Sequence, residues 1–309
     1  MAYQSPLVRH LAWCLFSEPM VHIPNANALS IEPSSEILNW LTQLDENPQP
    51  LRDYLSDQNA RLLGSYFECL WQFFFENAPN WQLLAHHVQV FENNQTLGEL
   101  DILAKGTQQQ ALHVELAVKF YLLPKEHNGQ SLNHWIGPQS RDRLDKKVDK
   151  FINKQLPFIK HPHTQQTLQS KNLPDDYLQA VVLKGYLFEH ISTPKVSFPS
   201  TVNSKVNLGK WLHANEHEIL LSSPANWIVI PKLDWLGPFI TANSDLPTLD
   251  NQALSTHIQA HFTESDYPYA LMLVKLDPAQ EQEIERFLVV HDQWPTPLNI
   301  RHKKTKTIS

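Results

Sequence analysis

Alternating residues near the middle of the chain predict a β-strand with two unlike faces. One face would carry ionisable groups, a small residue and an aromatic one: His113, Glu115, Ala117, Lys119 and Tyr121. The other face would be wholly apolar: Leu112, Val114, Leu116, Val118, Phe120 and Leu122. Because successive side chains point to opposite sides of a strand, the apolar face can pack on helices and leaves a face of ionisable groups.

The preceding segment Gly98-Glu99-Leu100-Asp101 predicts the partner strand of a hairpin. If residues 105–111 form its loop, antiparallel pairing sets Asp101 opposite Glu115 and Glu99 opposite Ala117. Acids opposite one another destabilise a ladder unless they share a cation or a proton or are fully exposed to water. Mg²⁺ takes carboxylate, water and phosphate oxygens and activates the attacking water. The hairpin therefore predicts either a Mg²⁺ or Mn²⁺ site that cleaves phosphodiesters or a solvated strand face.

The elements around the hairpin follow the order helix, three strands, helix, strand. Helical spacing predicts a helix over 61–77, with Glu68 among aromatic side chains, and alternation predicts a first strand over 81–92. Residues 180–188 predict a buried strand. The second helix would present one face made of Leu144, Val148, Phe151, Ile152, Gln155 and Ile159. This order predicts an α/β fold with a mixed sheet flanked by helices.

Four phrases carry a resemblance to known families: Leu63-Gly64-Ser65-Tyr66-Phe67-Glu68, Gly98-Glu99-Leu100-Asp101, His113-Val114-Glu115-Leu116-Ala117-Val118-Lys119-Phe120-Tyr121 and Arg141-Asp142-Arg143-Leu144-Asp145-Lys146-Lys147. Over most of its length the chain resembles an uncharacterised bacterial family, the domain of unknown function DUF1853. The order αβββαβ resembles the restriction-endonuclease-like core of the PD-(D/E)XK nuclease superfamily. A fold analogy does not establish an activity, so function must be argued from the site.

The superfamily resemblance implies a site for a divalent metal. Asp101 and Glu115 would be ligands, Glu68 would add a third acid, and Lys119 would stabilise charge. The usual lysine two residues after the second acid is replaced here by Ala117. Lys119 lies about 13 Å from Glu115 along the strand, at about 3.3 Å per residue. This departure keeps a second hypothesis open: a catalytically inactive module that binds nucleic acid or a protein partner.

Several candidates also have a structural interpretation. Glu68 either joins the site or caps and solvates an imperfectly buried helix. His113 is either an additional site residue, such as a base, or an ordinary hydrogen-bonded histidine. Lys119 is either catalytic or a cross-strand ion pair with Glu99, which is itself an additional candidate.

The second helix and the loop before it predict a nucleic-acid contact. Arg141, Arg143 and Lys147 belong to a run in which six cations outnumber three aspartates. Such a stripe suits phosphate backbones, although pairs with neighbouring aspartates would neutralise part of it. Trp135 is either a stacking surface for a base or a buried anchor.

Three parts follow one another without a clear linker. They are an N-terminal helical segment over 1–57 with a helix start at Ser34-Ser35-Glu36, the PD-(D/E)XK-like core over 58–190, and a C-terminal α/β extension over 191–309 that packs on the core. The extension would contain a loop over 192–205, strands over 227–230 and 269–276, a helix over 278–287 and a lysine-rich tail from Arg301 to Lys306.

Composition narrows the function classes. A net charge of -7 over 309 residues argues against indiscriminate coating of nucleic acid, although a local cleft can still be positive. Cys14 and Cys69 lie in apolar helical contexts, which is typical of a reducing compartment, and no membrane span or signal peptide is predicted. The expected location is cytoplasmic. With eight glycines and no phosphate loop, nucleophile elbow or zinc motif, other common chemistries find little support.

Overall fold

The computed structural model describes residues 3–24, 26–58, 60–193, 196–241, 244–264, 268–277, 279 and 282–297. It is an α/β protein with a nine-stranded mixed sheet flanked by helices. The helices are α1 (Pro6–Phe16), α2 (Ser35–Glu46), α3 (Gln49–Asp57), α4 (Leu63–Asn77), α5 (Leu144–Lys150), α6 (Leu156–Phe158), α7 (Pro162–Ser170) and α8 (Asn251–Glu264). The strands are β1 (Asn27–Ala28), β2 (Gln82–Glu92), β3 (Gln95–Lys105), β4 (Ala111–Leu122), β5 (Leu178–His190), β6 (Asn207–His213), β7 (Asn226–Ile230), β8 (Leu271–Leu276) and β9 (Glu283–Val290).

The main hydrophobic core lies between the N-terminal helices and one face of the sheet. Helix α2 starts as predicted, with the Ser34 hydroxyl accepting a hydrogen bond from the Ile37 N–H at 3.4 Å. Helix α4 is almost wholly buried, because its aromatic side chains pack on the apolar face of β4. Cys14 and Cys69 are free and buried there, as expected. In the described part of the chain, no helix combines the length and apolar character needed to span a bilayer.

The strands after residue 190 continue the sheet rather than forming a separate one. The order is β2-β3-β4-β5-β6-β9-β8-β7, and β1 pairs with β5. The central pairs β4–β5, β5–β6 and β6–β9 are parallel, whereas the pairs at both ends are antiparallel. The predicted strands over 227–230 and 269–276 correspond to β7 and β8.

The predicted helix over 278–287 is wrong, because Glu283–Val290 forms β9. Its apolar run Phe287-Leu288-Val289-Val290 is fully buried between β6 and β8. Branched and aromatic side chains suit a packed pleated surface, and this tertiary pairing overrides helical spacing. The described part of 192–205 is a loop, as predicted, whereas the tail from Arg301 lies outside the described residues.

The hairpin of β3 and β4 is paired only near its turn. Four residue pairs run from Lys105–Ala111 to Ile102–Val114. This register carries Asp101 to the position opposite Glu115, as predicted, one residue beyond the last pair. The predicted pairing of Glu99 with Ala117 is wrong, because β3 continues alongside β2 alone. One edge of β4 is therefore left open beyond Glu115.

The ionisable face of β4 is covered rather than solvated. A continuous helical segment over 144–158 packs on it, formed by α5, a π-helical turn (Phe151–Gln155) and α6. Apolar residues of this segment join the second core together with Ala117 and Tyr121. His113 and Glu115 are both 0% exposed, so their polar atoms must find partners inside the protein.

Candidate active site

Asp101 and Glu115, called the acid pair here, meet where β3 leaves β4. One Asp101 carboxylate oxygen accepts the Leu116 N–H at 2.8 Å, which ties the end of β3 to β4 without a ladder bond. Burial raises the pKa of both carboxyls, and at Asp101 repulsion from Glu115 adds to the effect. The acid pair therefore disfavours full ionisation unless a positive charge compensates it.

His113 lies beneath the acid pair. Its Nε2 is 2.8 Å from Glu115 Oε1, and burial lowers the pKa of the imidazole to about 4. The ring is thus neutral near pH 7, and with a proton on Nε2 it donates a hydrogen bond to Glu115. The buried Nδ1 has no hydrogen-bond partner in the described structure. This geometry makes His113 a residue that orients Glu115.

The helical segment supplies an amide and an ammonium to the other side of Glu115. Gln155 Nε2 donates a hydrogen bond to Glu115 Oε2, and Lys147 Nζ donates one to Gln155 Oε1 at 3.1 Å. The Lys147 ammonium also lies 3.8 Å from the centroid of the Phe151 ring. Burial lowers the pKa of Lys147 to about 8, with Lys150 and Lys119 acting in the same direction and the acid pair opposing it.

A second group of polar residues flanks Asp101 on the side of β2 and α4. His87 Nδ1 lies 2.8 Å from Glu99 Oε1, and its Nε2 lies 3.9 Å from Glu68 Oε2 and 3.0 Å from Gln72 Nε2. Burial raises the pKa of Glu68, with further contributions that include repulsion from Asp101. Glu68 is thus electrostatically coupled to the acid pair rather than acting only as a solvated helix residue.

Lys119 is directed away from the acid pair. Its Nζ forms an ion pair with Asp142 at 2.7 Å, so the predicted alternative, a cross-strand pair with Glu99, is wrong. Ala117, which stands where the superfamily pattern has lysine, is only 9% exposed and packs in the second core. The lysine that the structure places beside the acid pair is Lys147.

Apart from Lys147, the predicted nucleic-acid residues differ in exposure and pairing. Arg141 is exposed, whereas Arg143 forms a two-bond ion pair with Asp145 at 2.8 and 2.7 Å, as expected for a partly neutralised stripe. Trp135 is fully buried, and its indole N–H donates to the Gly129 carbonyl at 3.2 Å. The burial of Trp135 agrees with an anchor and leaves no ring face free for a base.

The donor set of the acid pair fits a hard divalent cation. Among the described residues, no group of three or more His, Cys, Asp or Glu side chains is placed to hold a metal ion, so Glu68 does not complete a three-residue cluster. Mg²⁺ commonly binds through one or two carboxylates and takes its other ligands from water and phosphate. Asp101 and Glu115 supply two adjacent carboxyls, and because their pKa values are raised, a bound cation would favour their ionised forms.

Sequence patterns could have indicated one residue that the prediction missed, Gln155, and the inward position of Lys147, which was predicted only as a nucleic-acid contact. Gln155 is the only amide on the otherwise apolar helical face, and a polar residue in such a place indicates a buried partner. Lys147 was assigned to the exposed stripe, although it lies one helical turn before Phe151 on the packed side. The sequence could not have indicated His87 in this way. Its backbone has a left-handed φ of 48° within β2, and simple strand alternation does not predict where such a residue directs its side chain.

Comparison with known proteins gives one match. A family model described as a domain of unknown function (DUF1853) matches residues 9–290. The match confirms the family resemblance carried by the four sequence phrases. None of the curated proteins and none of the solved structures matches the chain.

Proposed function

We propose that this chain, which belongs to the DUF1853 family of unknown function, is a metal-dependent nuclease that hydrolyses phosphodiester bonds in DNA or RNA. The observation that carries the proposal is the acid pair at the point where β3 separates from β4, with Glu115 buried, Asp101 half-buried and Lys147 beside them. The likeness to the PD-(D/E)XK core is part of the same proposal and rests on element order. The free buried cysteines suit a reducing, cytoplasmic location.

Asp101 and Glu115 would hold Mg²⁺ or Mn²⁺, whereas among the described residues Glu68 is not placed to complete a three-residue cluster with them. When bound, such an ion supplies Lewis-acid polarisation of a phosphoryl oxygen and a water of lowered pKa. It would also supply the positive charge that is missing between half-buried Asp101 and buried Glu115. The acid pair fits a divalent cation because its donors are carboxylate oxygens and because the raised pKa values of both carboxyls disfavour ionisation without a compensating charge.

The chain's own residues orient this site and place charge in it. His113 and Gln155 hold one Glu115 oxygen each and thereby fix the direction of the carboxyl. Lys147, with a pKa of about 8, is mostly protonated at neutral pH and supplies a positive charge next to the acid pair. Preorganised cations of this kind stabilise negative charge that develops on a phosphoryl group. Lys119 contributes from further along β4, in its pair with Asp142.

A second candidate is a non-catalytic module that binds nucleic acid or a protein partner. The observation that favours it is the occupation of both Glu115 oxygens by His113 and Gln155, together with the packed Ala117. In that case the acid pair would be a buried structural feature. Binding without cleavage, unaffected by a chelator, would support this candidate.

The test is cleavage of single-stranded, duplex and branched DNA and RNA with Mg²⁺ or Mn²⁺. The isosteric variants Asp101→Asn and Glu115→Gln should lower the rate by at least about a hundredfold, because they remove metal-binding charge. Glu218→Gln, at an exposed site far along the chain, is the matched control and should keep full activity. Absence of cleavage by the folded native protein, or equal rates in all variants, would refute the nuclease.

A further inference from the structure

A cavity of about 400 Å³ opens where α4 begins and where the edge of β4 is uncovered. Four of its lining residues are cations: Arg61, Lys119, Arg141 and Lys232. We call it the cationic cavity. Asp142 is the one carboxylate among its described lining residues. This concentration of positive charge stands out in a chain whose net charge is -7.

Most of this positive charge is uncompensated. Asp142 is engaged by Lys119 at 2.7 Å. Within the described ranges, no carboxylate lies at ion-pair distance from Arg61, Arg141 or Lys232. The Lys232 ammonium instead lies 5.3 Å from the Trp235 ring, and loss of solvent lowers its pKa. An anion in the cavity would gain from all three cations.

Helix α4 adds backbone donors to the same cavity. Its N-cap residue Leu62 makes no side-chain capping bond, so the N–H groups of the first turn are not taken by a side chain. Leu63 and Gly64 of that turn line the cavity, and a Cβ built on Gly64 meets nothing within 4 Å. The positive end of a helix dipole favours an anion at this position.

The open edge of β4 contributes further N–H groups. On this edge the Leu116 N–H donates to Asp101, and the Leu122 N–H donates to the Ile136 carbonyl at 2.8 Å. Because N–H directions alternate along a strand, those of Val118 and Phe120 point to the same edge. The β3 ladder does not reach them, and both residues line the cavity.

We propose that the cationic cavity binds a phosphate group of a nucleic-acid strand, at a distance from the acid pair set by the β4 segment between Glu115 and Lys119. That distance is about 13 Å at about 3.3 Å per residue. The cations and N–H groups suit the phosphate oxygens, while Leu62, which is 74% exposed, offers apolar surface to a sugar or base. The proposal rests on the proposed function for its substrate class, but it requires no metal.

Gly64 allows a test that leaves the fold intact. Gly64→Asp places a carboxylate in the open space, where an acid in the first turn of a helix is itself favourable. Gly64→Asn has the same shape and no charge. In the presence of a chelator, fluorescence anisotropy with a single-stranded oligonucleotide should show at least tenfold weaker binding for Gly64→Asp than for Gly64→Asn, at equal thermal stability.

The cations provide an independent measurement. The double variant Arg141→Gln/Lys232→Gln should reduce the slope of log affinity against log salt by about 0.7, the contribution of one neutralised phosphate of a single strand. The control Lys160→Gln/Lys171→Gln removes two exposed charges outside the cavity and should keep the native slope. Equal slopes in both double variants, or equal affinities in the two Gly64 variants, would overturn the proposal.

Further arms separate the possible phosphate sources and the two proposals. Inorganic phosphate at millimolar concentration should compete with the oligonucleotide, and an oligonucleotide with a terminal phosphate should bind at least as well as one without it. Binding of inorganic phosphate, measured directly by titration calorimetry, with no oligonucleotide binding would overturn nucleic acid as the source. Asp101→Asn should abolish cleavage while leaving this binding unchanged, so failure of the nuclease and failure of the phosphate site are distinguishable.

Discussion

Two buried polar groups on the same sheet are compensated in opposite ways. On β9 the Arg286 guanidinium is 2% exposed and is paired with Glu283 at 2.8 and 2.7 Å, and it donates to the carbonyls of Trp235 and Gly237. Although burial opposes the charge, Tyr186 and Glu283 outweigh it, so the pKa of Arg286 is raised. We call these groups the arginine cluster, and its charge is matched from within the chain.

The acid pair lacks such a match. Two carboxyls face each other, the His113 beside them is neutral, and the nearest cation, Lys147, reaches Glu115 through Gln155. Burial of unpaired charge is costly, and a protein tolerates it where function requires it. The arginine cluster is thus compensated within the chain, whereas the proposed function would supply the missing positive charge of the acid pair from solution.

Breaking the arginine cluster should have the largest effect on stability. Glu283→Ala leaves Arg286 buried without its counter-ion, which should lower the free energy of unfolding by about 3–5 kcal/mol. Chemical denaturation measures it. The control Glu285→Ala alters an exposed site on the same strand and should change stability by less than about 0.5 kcal/mol. Similar losses in both variants would show that the ion pair is not what stabilises this region.

The two lysines near the acid pair should differ in their effect on cleavage. Lys147→Met keeps the packing against Phe151 but removes the charge beside the acid pair, so kcat should fall about a hundredfold, or about 2.7 kcal/mol. Lys119→Met removes a cation that is paired with Asp142 and should cost less than about tenfold. The reverse order would return the catalytic assignment to Lys119.

Much of the fold could be predicted from local patterns. Alternation in β4 and helical spacing in α4 specify which faces are apolar, and the core order follows from them. The segment Glu283–Val290 could not be predicted in this way, because its buried strand pairs with β6 and β8 from distant parts of the chain. Spacing alone does not distinguish a short buried strand from a helix when tertiary pairing decides.

For the candidate site, the sequence predicted the two acids Asp101 and Glu115 but not the position of the cation Lys147. Asp101 and Glu115 could be placed opposite each other because a hairpin register follows from its loop. The place of Lys147 could not be predicted, since it depends on how the helical segment over 144–158 packs on β4. Its π-helical turn at Phe151–Gln155 changes the helical phase, and no residue type in it predicts that turn.

The pH dependence of the free energy of unfolding should show how much the ionised acid pair destabilises the fold. A carboxyl whose pKa is raised by folding contributes stability that is present below its unfolded pKa of about 4 and is lost as pH rises through the folded value. The free energy of unfolding should therefore fall by roughly 2 kcal/mol more in the native protein than in Asp101→Asn between pH 4 and the raised pKa. His113, whose pKa is lowered by burial to about 4, acts in the opposite direction in both proteins, and Asp101→Asn also removes the Asp101 charge that opposes this lowering. Parallel pH profiles would contradict a raised pKa at Asp101.

The smallest expected effect is the gain in stability on adding a divalent cation, which tests whether such a cation binds the acid pair. If Mg²⁺ or Mn²⁺ binds only the folded protein, a concentration ten times its dissociation constant adds about 1.4 kcal/mol of stability. The gain should grow as pH rises, because protons compete with the metal for the same carboxyls. It should be absent in Asp101→Asn and present in Glu283→Gln, which alters the arginine cluster alone. Calorimetry with and without chelator measures it, and an equal gain in native protein and Asp101→Asn would place the metal elsewhere. A gain specific to the native acid pair, even without any cleavage, would show that an ion from solution compensates the charge of Asp101 and Glu115.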